Sequence, residues 1–413
     1  MLRKFFLILL LASLSLTAFN QTHNLEFYLT EGIHNSPLLN DYKNQVFSAN
    51  ADSLLIRAAR KPFVEAKSQL LYSPAYKNFG YDEIVTDGGN YTAVLSVSQN
   101  IFNQNVINNK YRNVDLQKQL INNSSKISIK ELNKAITDQY LVAYSALINL
   151  SFNKSFLELI SKESEIVKQF VIKGVYKQTD YLALLVETQS QEIMIKQLDN
   201  QYRMELSVLN QLCGIIDSAR YELVKPELNI NGNPDISKSP AYIKFKIDST
   251  RIETEKATID LNYKPKFNWF ADAGFLTSTP WNFYRHFGYS AGVSLNIPVY
   301  DGKQKGIEKQ KLEFQQNINK NYELSYKKQY SMQFIQLSNE LRSLNGTLDQ
   351  TENQLKTSGQ LVNILKDQLE SGLIQMTEYI NAIKNYKTIN STRNLITVQK
   401  LQIINEMNFL LTQ

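Results

Sequence analysis

The residue types that carry most enzyme chemistry are sparse in this 413-residue chain, which contains three histidines and one cysteine. The histidines are scattered, and no two of them have the spacing of three or four residues by which one helix presents two metal ligands. Asp301-Gly302-Lys303 resembles the end of a phosphate-binding loop. It lacks the earlier glycine and the serine or threonine after the lysine, so a strand-to-helix turn is the better interpretation. We predict no catalytic residues, no metal site and no cofactor, and a protein that is not an enzyme.

Cysteine content and charge narrow the possibilities further. The single cysteine, Cys213, has no partner for an internal disulfide. We predict a small buried side chain at this position, with a reactive thiol as the alternative. The net charge of +6 is too small and too evenly spread along the chain to indicate nucleic acid as a partner.

The N-terminal residues have the pattern of a secretory signal peptide. Arg3 and Lys4 precede an apolar stretch of about a dozen residues, and small or polar residues follow it. A membrane anchor is the alternative, but a stretch this short does not span a bilayer as a helix. We predict a signal peptide over residues 1–20. No later apolar run approaches the roughly 18 residues of a spanning helix, so a membrane-bound form would have to cross the bilayer with strands.

The remaining chain is built from two copies of one unit. The segment Tyr91–Gln104 recurs 198 residues later as Tyr289–Gly302. Ser36–Pro62 recurs as Ser239–Pro265, with the same Ser-Pro start and Lys-Pro end. The organisation that follows is repeat 1 at residues 21–216, a linker at 217–238 and repeat 2 at 239–413.

Each repeat contains two stretches in which apolar and polar residues alternate, which is the pattern of a strand with one face in an apolar medium. The first stretches are Phe63–Tyr72 and Phe267–Phe275, and a turn-rich loop of variable length follows each. We predict strand hairpins within residues 62–102 and 265–300, with strands about ten residues long, as a tilted membrane strand requires. Their polar faces include Glu65, Lys67, Asn268 and Asp272.

Helical periodicity follows each strand hairpin and predicts helical hairpins over residues 103–213 and 303–412. Leu337, Leu341, Leu344 and Leu348 have the spacing of a coiled-coil seam. Asn345-Gly346 then predicts the chain reversal of the second hairpin. By the repeat offset, the first hairpin would reverse near residues 148–153.

A second repeated motif places Gly174 and Gly372 at equivalent positions, each followed by threonine, an acidic residue and tyrosine. We predict a kink or short break of the helix there, with Thr179 or Thr377 capping the helix that resumes. A binding loop is the alternative interpretation.

One chain supplies four candidate membrane strands. An open sheet edge in hydrocarbon leaves backbone groups without partners, so a membrane sheet must close, and the smallest barrels have about eight strands. The chain must therefore oligomerise, and strand arithmetic alone allows two, three or four copies.

The order of helix, strand hairpin and long helical hairpin, repeated twice behind a signal peptide, resembles the TolC-type outer-membrane efflux protein family. The strand end at Leu295–Gly302 and the motif at Gly372–Ala382 carry this resemblance, which covers nearly all of the mature chain. The second copy has the family's strand-to-helix turn, with Pro298, Asp301 and Gly302. The first copy departs from it, with Asn100, Asn103 and Gln104 at the matching positions.

The resemblance implies a mostly α protein with a β-barrel portion, in which a homotrimer forms a tapering α-helical tunnel and one shared twelve-stranded transmembrane barrel. It implies location in the outer membrane, in contact with outer-membrane lipid and with the helical portion in the periplasm. It also implies two protein partners, a periplasmic adaptor (membrane fusion) protein and an inner-membrane transporter. The chain would be the passive exit duct of a tripartite efflux or secretion system.

The family closes its duct at the tips of the helical hairpins. The resemblance therefore implies a gate and a partner contact at the predicted tips, represented by Asn149, Asn153, Asn345 and Gly346. Nearby, Asp349 and Glu352 are candidates for a charged ring, because three carboxylates around a narrow pore repel one another and favour cations or widening. Solvated helix surface is the alternative for both carboxylates.

The strand faces have an expected role as well. Glu65, Lys67, Asn268 and Asp272 should line the lumen of the barrel.

A rival interpretation of the whole chain is a periplasmic coiled-coil adaptor whose strands form a soluble sheet. An adaptor normally has one helical hairpin within β-rich modules, whereas this sequence predicts two hairpins and little β structure.

Overall fold

The structure is a computed structural model that describes residues 22–74, 80, 88–216, 221–232, 234–278 and 280–411. The predicted signal peptide lies outside these residues. The predicted order of helix, strand hairpin and long helical hairpin, present twice, is confirmed. The helices are α1 (Leu25–Asn35), α2 (Pro37–Ala58), α3 (Gln104–Ile172), α4 (Gln178–Leu212), α5 (Pro240–Asn262), α6 (Gln304–Glu370) and α7 (Met376–Leu410). The strands are β1 (Thr22–His23), β2 (Phe63–Ser73), β3 (Gly88–Ile101), β4 (Glu222–Leu223), β5 (Lys266–Thr277) and β6 (Phe287–Asn296).

The chain divides into two compact units. The helical unit comprises Met1–Asn40, Lys126–Ser239 and Tyr326–Gln413. The strand-bearing unit comprises Asp41–Ser125 and Pro240–Ser325.

A four-stranded antiparallel sheet forms the centre of the strand-bearing unit, in the order β2-β3-β5-β6. Each predicted hairpin is a pair of neighbouring strands, and the pairing of β3 with β5 joins the two repeats into one sheet. β2 and β6 form the two edges.

Helix α5 packs in this unit beside the first part of α3 and of α6, with polar contacts at both of its ends. Its first residue, Pro240, accepts a hydrogen bond from Asn123 Nδ2 at 2.8 Å, and Tyr242 donates to Glu323 at 2.7 Å. At its other end, Asp260 pairs with Lys309 at 2.8 Å. Proline suits the first position of a helix because the backbone N–H that it lacks would have no partner there.

The long helices run through the predicted hairpin tips without interruption, so the prediction of a chain reversal at Asn345-Gly346 and near residues 148–153 is wrong. Helix α6 is continuous because its coiled-coil seam continues, with residues at alternating spacings of three and four that are buried or half-buried. The seam consists of Tyr330, Phe334, Leu337, Leu341, Leu344, Leu348, Thr351, Leu355, Ser358, Val362, Leu365 and Leu369. Burial of this seam outweighs the helix propensity lost at Asn345 and Gly346, about 1 kcal/mol for the glycine.

The true chain reversals are at Gly174 and Gly372, where the sequence predicted only a kink or short break. Both glycines have left-handed backbones, with φ of +78° and +70°. In each turn the N–H after the glycine bonds back across it, from Val175 to the Phe170 carbonyl and from Leu373 to the Gln368 carbonyl, both at 2.9 Å. This is the Schellman motif that ends helices, and it requires the φ that glycine adopts without strain.

The helices that follow the two turns begin earlier than predicted. Lys177 and Gln375 are the N-cap residues, so Thr179 and Thr377 lie inside the first helical turn. In the first copy Asp180 caps the helix by accepting a hydrogen bond from Lys177 N at 3.1 Å. An acidic residue also suits the positive end of the helix dipole.

Three apolar clusters hold the helical unit together. One contains Tyr28, Tyr140 and Tyr202 and joins α1 to α3 and α4. A second, of residues from α3, α4, α6 and α7, lies beside the two turns. The third packs Tyr330 and Leu337 of α6 against the end of α7. The predicted linker contributes to the first cluster through Leu223, and β4 pairs in parallel with β1.

Cys213 ends α4 inside the first cluster and is 1% exposed, in agreement with the prediction of a small buried side chain. Burial raises the pKa of its thiol to about 12. We therefore expect no alkylation by maleimide at neutral pH until the protein is unfolded, because the reactive species is the thiolate. A Ser371→Cys variant, exposed in the second turn, is the positive control and should label within minutes. Rapid labelling of wild-type protein under native conditions would contradict this assignment.

Candidate functional site

The two faces of the sheet differ in composition, because residues alternate along each strand: one is largely apolar and the other carries the charged residues. One polar row crosses all four strands through the paired residues Glu65, Ser96, Asp272 and Ser290. Lys67 and Asn268 belong to the same face, since they lie two and four residues from this row on β2 and β5. All four residues predicted for a lumen therefore share one face.

Several charged side chains of this face contact polar neighbours on the same face. Lys67 Nζ pairs with Glu65 Oε1 at 2.7 Å and lies 3.4 Å from Ser96 Oγ. Ser290 Oγ lies 3.4 Å from Asp272 Oδ2. The face thus carries charges of both signs, together with some apolar side chains such as Val94, Phe270 and Leu276.

The opposite face is apolar and exposed in the single chain. Tyr289, at the loop end of β6, is 90% exposed, and Leu70 and Val293 are also exposed. Aromatic residues lie towards the two ends of the strands, with alanine, valine and leucine between them. The members of this face are Val64, Ala66, Leu70, Tyr72, Tyr91, Ala93, Leu95, Val97, Ile101, Phe267, Trp269, Ala271, Ala273, Phe275, Phe287, Tyr289, Ala291, Val293 and Leu295. An aliphatic band between aromatic girdles is the pattern of a lipid-facing barrel surface.

Glycines allow close packing at two points of the sheet. A Cβ at Gly274 would lie 2.3 Å from the Ala93 carbonyl oxygen and 2.6 Å from Val94 Cα. The ring of Phe270 covers Gly292, where a Cβ would lie 2.6 Å from the ring edge. By contrast, a Cβ at Gly288, directly opposite Gly274 on β6, would meet no atom within 4 Å.

The same strand contains a sequence pattern that our sequence reasoning missed. Gly288, Ser290 and Gly292 match the G-x-S-x-G of a hydrolase nucleophile elbow. An elbow requires a sharp turn between a strand and a helix, whereas these residues lie within the extended strand β6. His286 is four residues from Ser290, about 13 Å along an extended strand, which is too far for a general base. The pattern here is a strand feature.

The strand-to-helix turn predicted at residues 298–302 is present. Asp301 accepts hydrogen bonds from Lys303 N at 2.9 Å and Lys305 N at 2.8 Å, and so caps the first turn of α6. These backbone bonds, with the Tyr263 hydroxyl, hold the pKa of Asp301 below its usual range. The bond to Asp301 raises the pKa of Tyr263 to about 12. Gly302 has φ of +64°, which glycine adopts without strain.

The first repeat solves the same problem with an amide. Asn103, the equivalent of Asp301, accepts a hydrogen bond from Asn105 N at 2.9 Å. The departure from the family's turn is therefore a change of capping group, since Asn and Asp are both good N-caps. β3 also continues to Ile101, closer to its helix than β6 is to α6.

This equivalence leads to a prediction for α6. Asp301→Ala should destabilise the strand-bearing unit by about 1 kcal/mol, because two backbone N–H groups lose their acceptor. Asp301→Asn should cost about half of that, because the amide keeps one of the two acceptor oxygens, as Asn103 does in the other repeat. Denaturant unfolding of the three proteins in detergent measures the difference, and equal stability of the alanine and asparagine variants would contradict it.

In the helical unit, the two turns lie side by side. The Tyr176 hydroxyl donates to the Leu369 carbonyl at 2.6 Å, and a Cβ at Gly372 would touch Val175 Cγ1 at 3.4 Å. Apolar side chains are exposed here, most of all Leu373 at 75%. We call this region, residues 172–177 and 370–375, the turn end.

Polar contacts join the first helical hairpin to the second near the turn end. Lys366 Nζ pairs with Glu163 Oε1 at 2.7 Å, and Glu163 is almost completely buried. Its other oxygen, Oε2, and the nearby buried Tyr379 hydroxyl have no hydrogen-bond partner within the described part of the chain. Burial, with the charge of Glu163, raises the pKa of Tyr379. Lys384 pairs with Glu187 at 2.7 Å.

The residues predicted at the hairpin tips lie elsewhere. Asn153 is buried in α3 and accepts a hydrogen bond from Gln191 Nε2 at 2.8 Å. Gln191 Oε1 in turn accepts one from Lys387 Nζ at 2.6 Å, so three helices share this polar layer. Burial lowers the pKa of Lys387. Asn149 lies one turn before Asn153, and its backbone carbonyl accepts a hydrogen bond from Asn153 Nδ2 at 2.7 Å.

The candidates for a charged ring lie in the same stretch of helix. Asp349 and Glu352 lie within α6 and have exposed side chains. Gly346 is also exposed there, and Asn345 is half-buried. They precede the turn end by about 20 residues, or about 30 Å of helix. The predicted position of these two carboxylates at a hairpin tip is therefore wrong, because Gly372 and not Gly346 reverses the chain.

Among the described helices, none has a stretch of the length and apolar character needed to cross a bilayer. Among the described residues, no three His, Cys, Asp or Glu side chains are grouped so as to hold a metal ion.

Comparison with solved structures finds the same fold in several outer-membrane proteins. A membrane protein from Pseudomonas aeruginosa is similar with a TM-score of 0.74 and 14% identity, over 94% of this chain and 90% of that one. The outer membrane protein VceC of Vibrio cholerae is similar with a TM-score of 0.72 and 12% identity, over 93% and 94% of the two chains. The CmeC outer membrane channel of Campylobacter jejuni has a TM-score of 0.73 and 11% identity, over 94% and 86%.

These similarities establish the fold over nearly the whole length of both chains in each pair. No family model and no curated protein matches the sequence. The fold implied by the resemblance to TolC-type proteins, a mostly helical chain with a strand portion, is confirmed.

Proposed function

We propose that this protein is the exit duct of a tripartite efflux or secretion system, located in the outer membrane with its helical unit in the periplasm. The observation that carries the proposal is the sheet, which has an exposed apolar face, a second face that carries the charged residues, and two strand edges. Its strands have 11, 14, 12 and 10 residues, the length of tilted membrane strands.

The two edges of the sheet define the oligomer. β2 and β6 must pair with further strands before the sheet can lie in hydrocarbon, because each unpaired backbone group there costs several kcal/mol. Other copies of the chain offer those strands. Three copies would close a barrel of twelve strands, the state of the family that the sequence resembles, with Glu65, Lys67, Asn268 and Asp272 around the lumen.

The turn end supports a contact with a periplasmic adaptor protein. It presents exposed Leu373 and Val175, and directly beyond it α4 and α7 form a shallow groove with Leu182, Val186 and Ile380 among its lining residues. Apolar positions of this kind suit a helical partner. An inner-membrane transporter would complete the system and supply the energy, so the duct itself would perform no enzymatic reaction.

The turn end is also where we place the closure of the duct, at the level of Glu163 and Lys366. Asp349 and Glu352 remain candidates for a separate charged ring about 30 Å along α6. Single-channel recordings of Asp349→Ala distinguish the two levels. Altered conductance and cation block would support the ring, whereas unchanged values would leave the turn end as the narrowest part.

The central experiment is reconstitution of the purified mature protein. We expect fractionation with the outer membrane, an oligomer whose electrophoretic mobility changes on heating, and ion conductance in a planar bilayer. A photo-crosslinker at Leu373 should capture a membrane fusion protein in cells, while one at Ile193, farther along α4, should not. Recovery of the mature chain as a soluble periplasmic monomer would overturn the proposal.

A further inference from the structure

The loop between β5 and β6 carries a cluster of exposed aromatic side chains. Trp281 is 85% exposed, and Phe283 and Tyr284 are more than half exposed. We call residues 280–286 the aromatic loop. Large exposed aromatic groups are unfavourable in water, so several of them in one loop indicate that another phase or partner covers them.

Ring contacts fix the aromatic loop to the apolar side of the sheet. Phe283 packs against Phe275 with ring centroids 5.5 Å apart, and Phe275 packs against Phe287 at 5.4 Å. Phe275 and Phe287 are paired residues of the apolar face. The loop therefore extends that face beyond the ends of β5 and β6, at the end of this hairpin away from α5 and α6.

Backbone hydrogen bonds give the loop a defined shape. His286 N donates to the Phe283 carbonyl at 3.0 Å, and Leu276 N donates to the His286 carbonyl at 3.3 Å. The loop backbone is thus closed against β5, and the contact with Phe275 holds the Phe283 ring against the sheet.

The charge of this segment is positive. Its basic residues are Arg285 and His286. No acidic residue occurs in the sequence between Asp272 and Asp301. The Arg285 guanidinium carbon lies 5.8 Å from the centre of the Tyr284 ring, which places the cation among the aromatic side chains. A planar guanidinium binds phosphate through two parallel hydrogen bonds.

We propose that the aromatic loop binds the headgroup of an anionic membrane lipid, with Arg285 on the lipid phosphate and the Trp281 and Tyr284 rings at the boundary between headgroup and acyl chains. Aromatic rings with a polar edge prefer this boundary. The inference rests on the proposed function, because it requires the apolar face of the sheet to contact lipid. It adds a specific lipid contact on each chain and names the residue that recognises the charge.

The two tryptophans of the chain allow the inference and the proposed function to be tested separately. Trp269 lies on the apolar face near the start of β5, where its Nε1 donates to Gln99 at 3.1 Å, and Trp281 lies in the aromatic loop. A Trp281→Phe protein reports insertion of the sheet through Trp269. A Trp269→Phe protein reports the loop through Trp281.

Both proteins are reconstituted in phosphatidylcholine vesicles, with and without phosphatidylglycerol. The acyl chains of the lipids carry bromine near their headgroup end. Bromine quenches tryptophan fluorescence on contact. We expect quenching of Trp281 in both mixtures and an increase in apparent lipid affinity of about fivefold with phosphatidylglycerol, as one cation near an anionic surface contributes about 1 kcal/mol. Arg285→Gln should remove this increase. Lys266→Gln, which removes a cation at the opposite end of β5, should retain it.

The possible outcomes distinguish the lipid contact from the proposed function. Quenching of Trp269 without quenching of Trp281 overturns the lipid contact but leaves the proposed function intact, and indicates that a neighbouring copy or solvent surrounds the loop. Equal affinity with and without phosphatidylglycerol, or an unchanged increase in the Arg285→Gln protein, overturns the recognition of a lipid headgroup by Arg285. Absence of quenching at both tryptophans overturns the proposed function together with the inference.

Discussion

Replacing Gly274 with alanine is expected to abolish assembly of the membrane form of this protein, whereas Gly288→Ala should leave assembly intact. The two glycines face each other across β5 and β6, so they share one position in the sheet. A Cβ at Gly274 would lie 2.3 Å from the Ala93 carbonyl oxygen, well inside van der Waals contact. The obstructing atoms belong to the β3 backbone and cannot rotate away, and the φ of +157° at Gly274 is itself unfavourable for alanine.

The size of this effect follows from the place of Gly274 in the sheet. β5 pairs with β3 there, and this pairing is what joins the two repeats. Overpacking costs up to about 3 kcal/mol in a core, where side chains can yield, and a strand backbone yields less. With one such site in every copy of an oligomer, we expect the yield of heat-modifiable oligomer to fall by more than about tenfold.

Electrophoresis of unheated membrane fractions measures that yield. Gly288→Ala is the matched control, because a Cβ there meets no atom within 4 Å. Comparable oligomer yields from the two variants would show that β3 and β5 separate readily at this point, and would remove the basis for a single sheet built from both repeats.

The faces of the sheet could be predicted from the sequence because the relevant signal is local. Period-two alternation assigns Glu65 and Asp272 to one face without knowledge of any contact. The register of β3 with β5 could not be predicted in this way. It depends on residues about 180 positions apart, such as Ser96 and Asp272, and on the fit around Gly274.

The chain reversals show where local signals mislead. Asn345-Gly346 and Gly372 are both plausible turn sequences, and each lies within a strongly helical pattern. The two sites differ in the residues that surround them. The seam through Thr351 and Ser358 stays buried on both sides of Gly346, while at Gly372 the left-handed backbone closes a Schellman motif. Extending the seam with threonine and serine as members would have found the continuous helix.

The ion pair near the turn end could not be predicted from the sequence for a further reason. Glu163 and Lys366 belong to different repeats, and their repeat equivalents, Leu361 and Lys168, do not form such a pair. The two-fold sequence repeat therefore gives no indication of this ion pair. Only the packing of α3 against α6 brings the two charges together.

Lys366→Met is expected to have the largest effect of any single change in the helical unit. The carboxylate side chain of Glu163 is 3% exposed, so loss of its partner leaves a buried charge without compensation. Such a loss costs about 3 kcal/mol, the lower end of the usual range being appropriate because Lys366 itself is partly exposed. Glu163 Oε2 has no other partner within the described residues to offset the loss.

Lys162→Met is the matched control for this change. Lys162 also pairs with a glutamate, Glu158, at 2.7 Å, but both side chains are about 70% exposed. An exposed pair of this kind contributes no more than about 0.5 kcal/mol. Hydrogen exchange of peptides from the turn end should therefore accelerate strongly in Lys366→Met and remain close to wild type in Lys162→Met.

The double variant Glu163→Gln, Lys366→Met separates charge from packing. If the unpaired carboxylate is the cause, replacing it with the neutral amide should restore most of the protection, because the buried charge is gone. In planar bilayers Lys366→Met should then open more often or conduct more than the control, and the double variant should return towards wild type. Equal exchange and conductance in Lys366→Met and Lys162→Met would show that this ion pair does not hold the turn end closed.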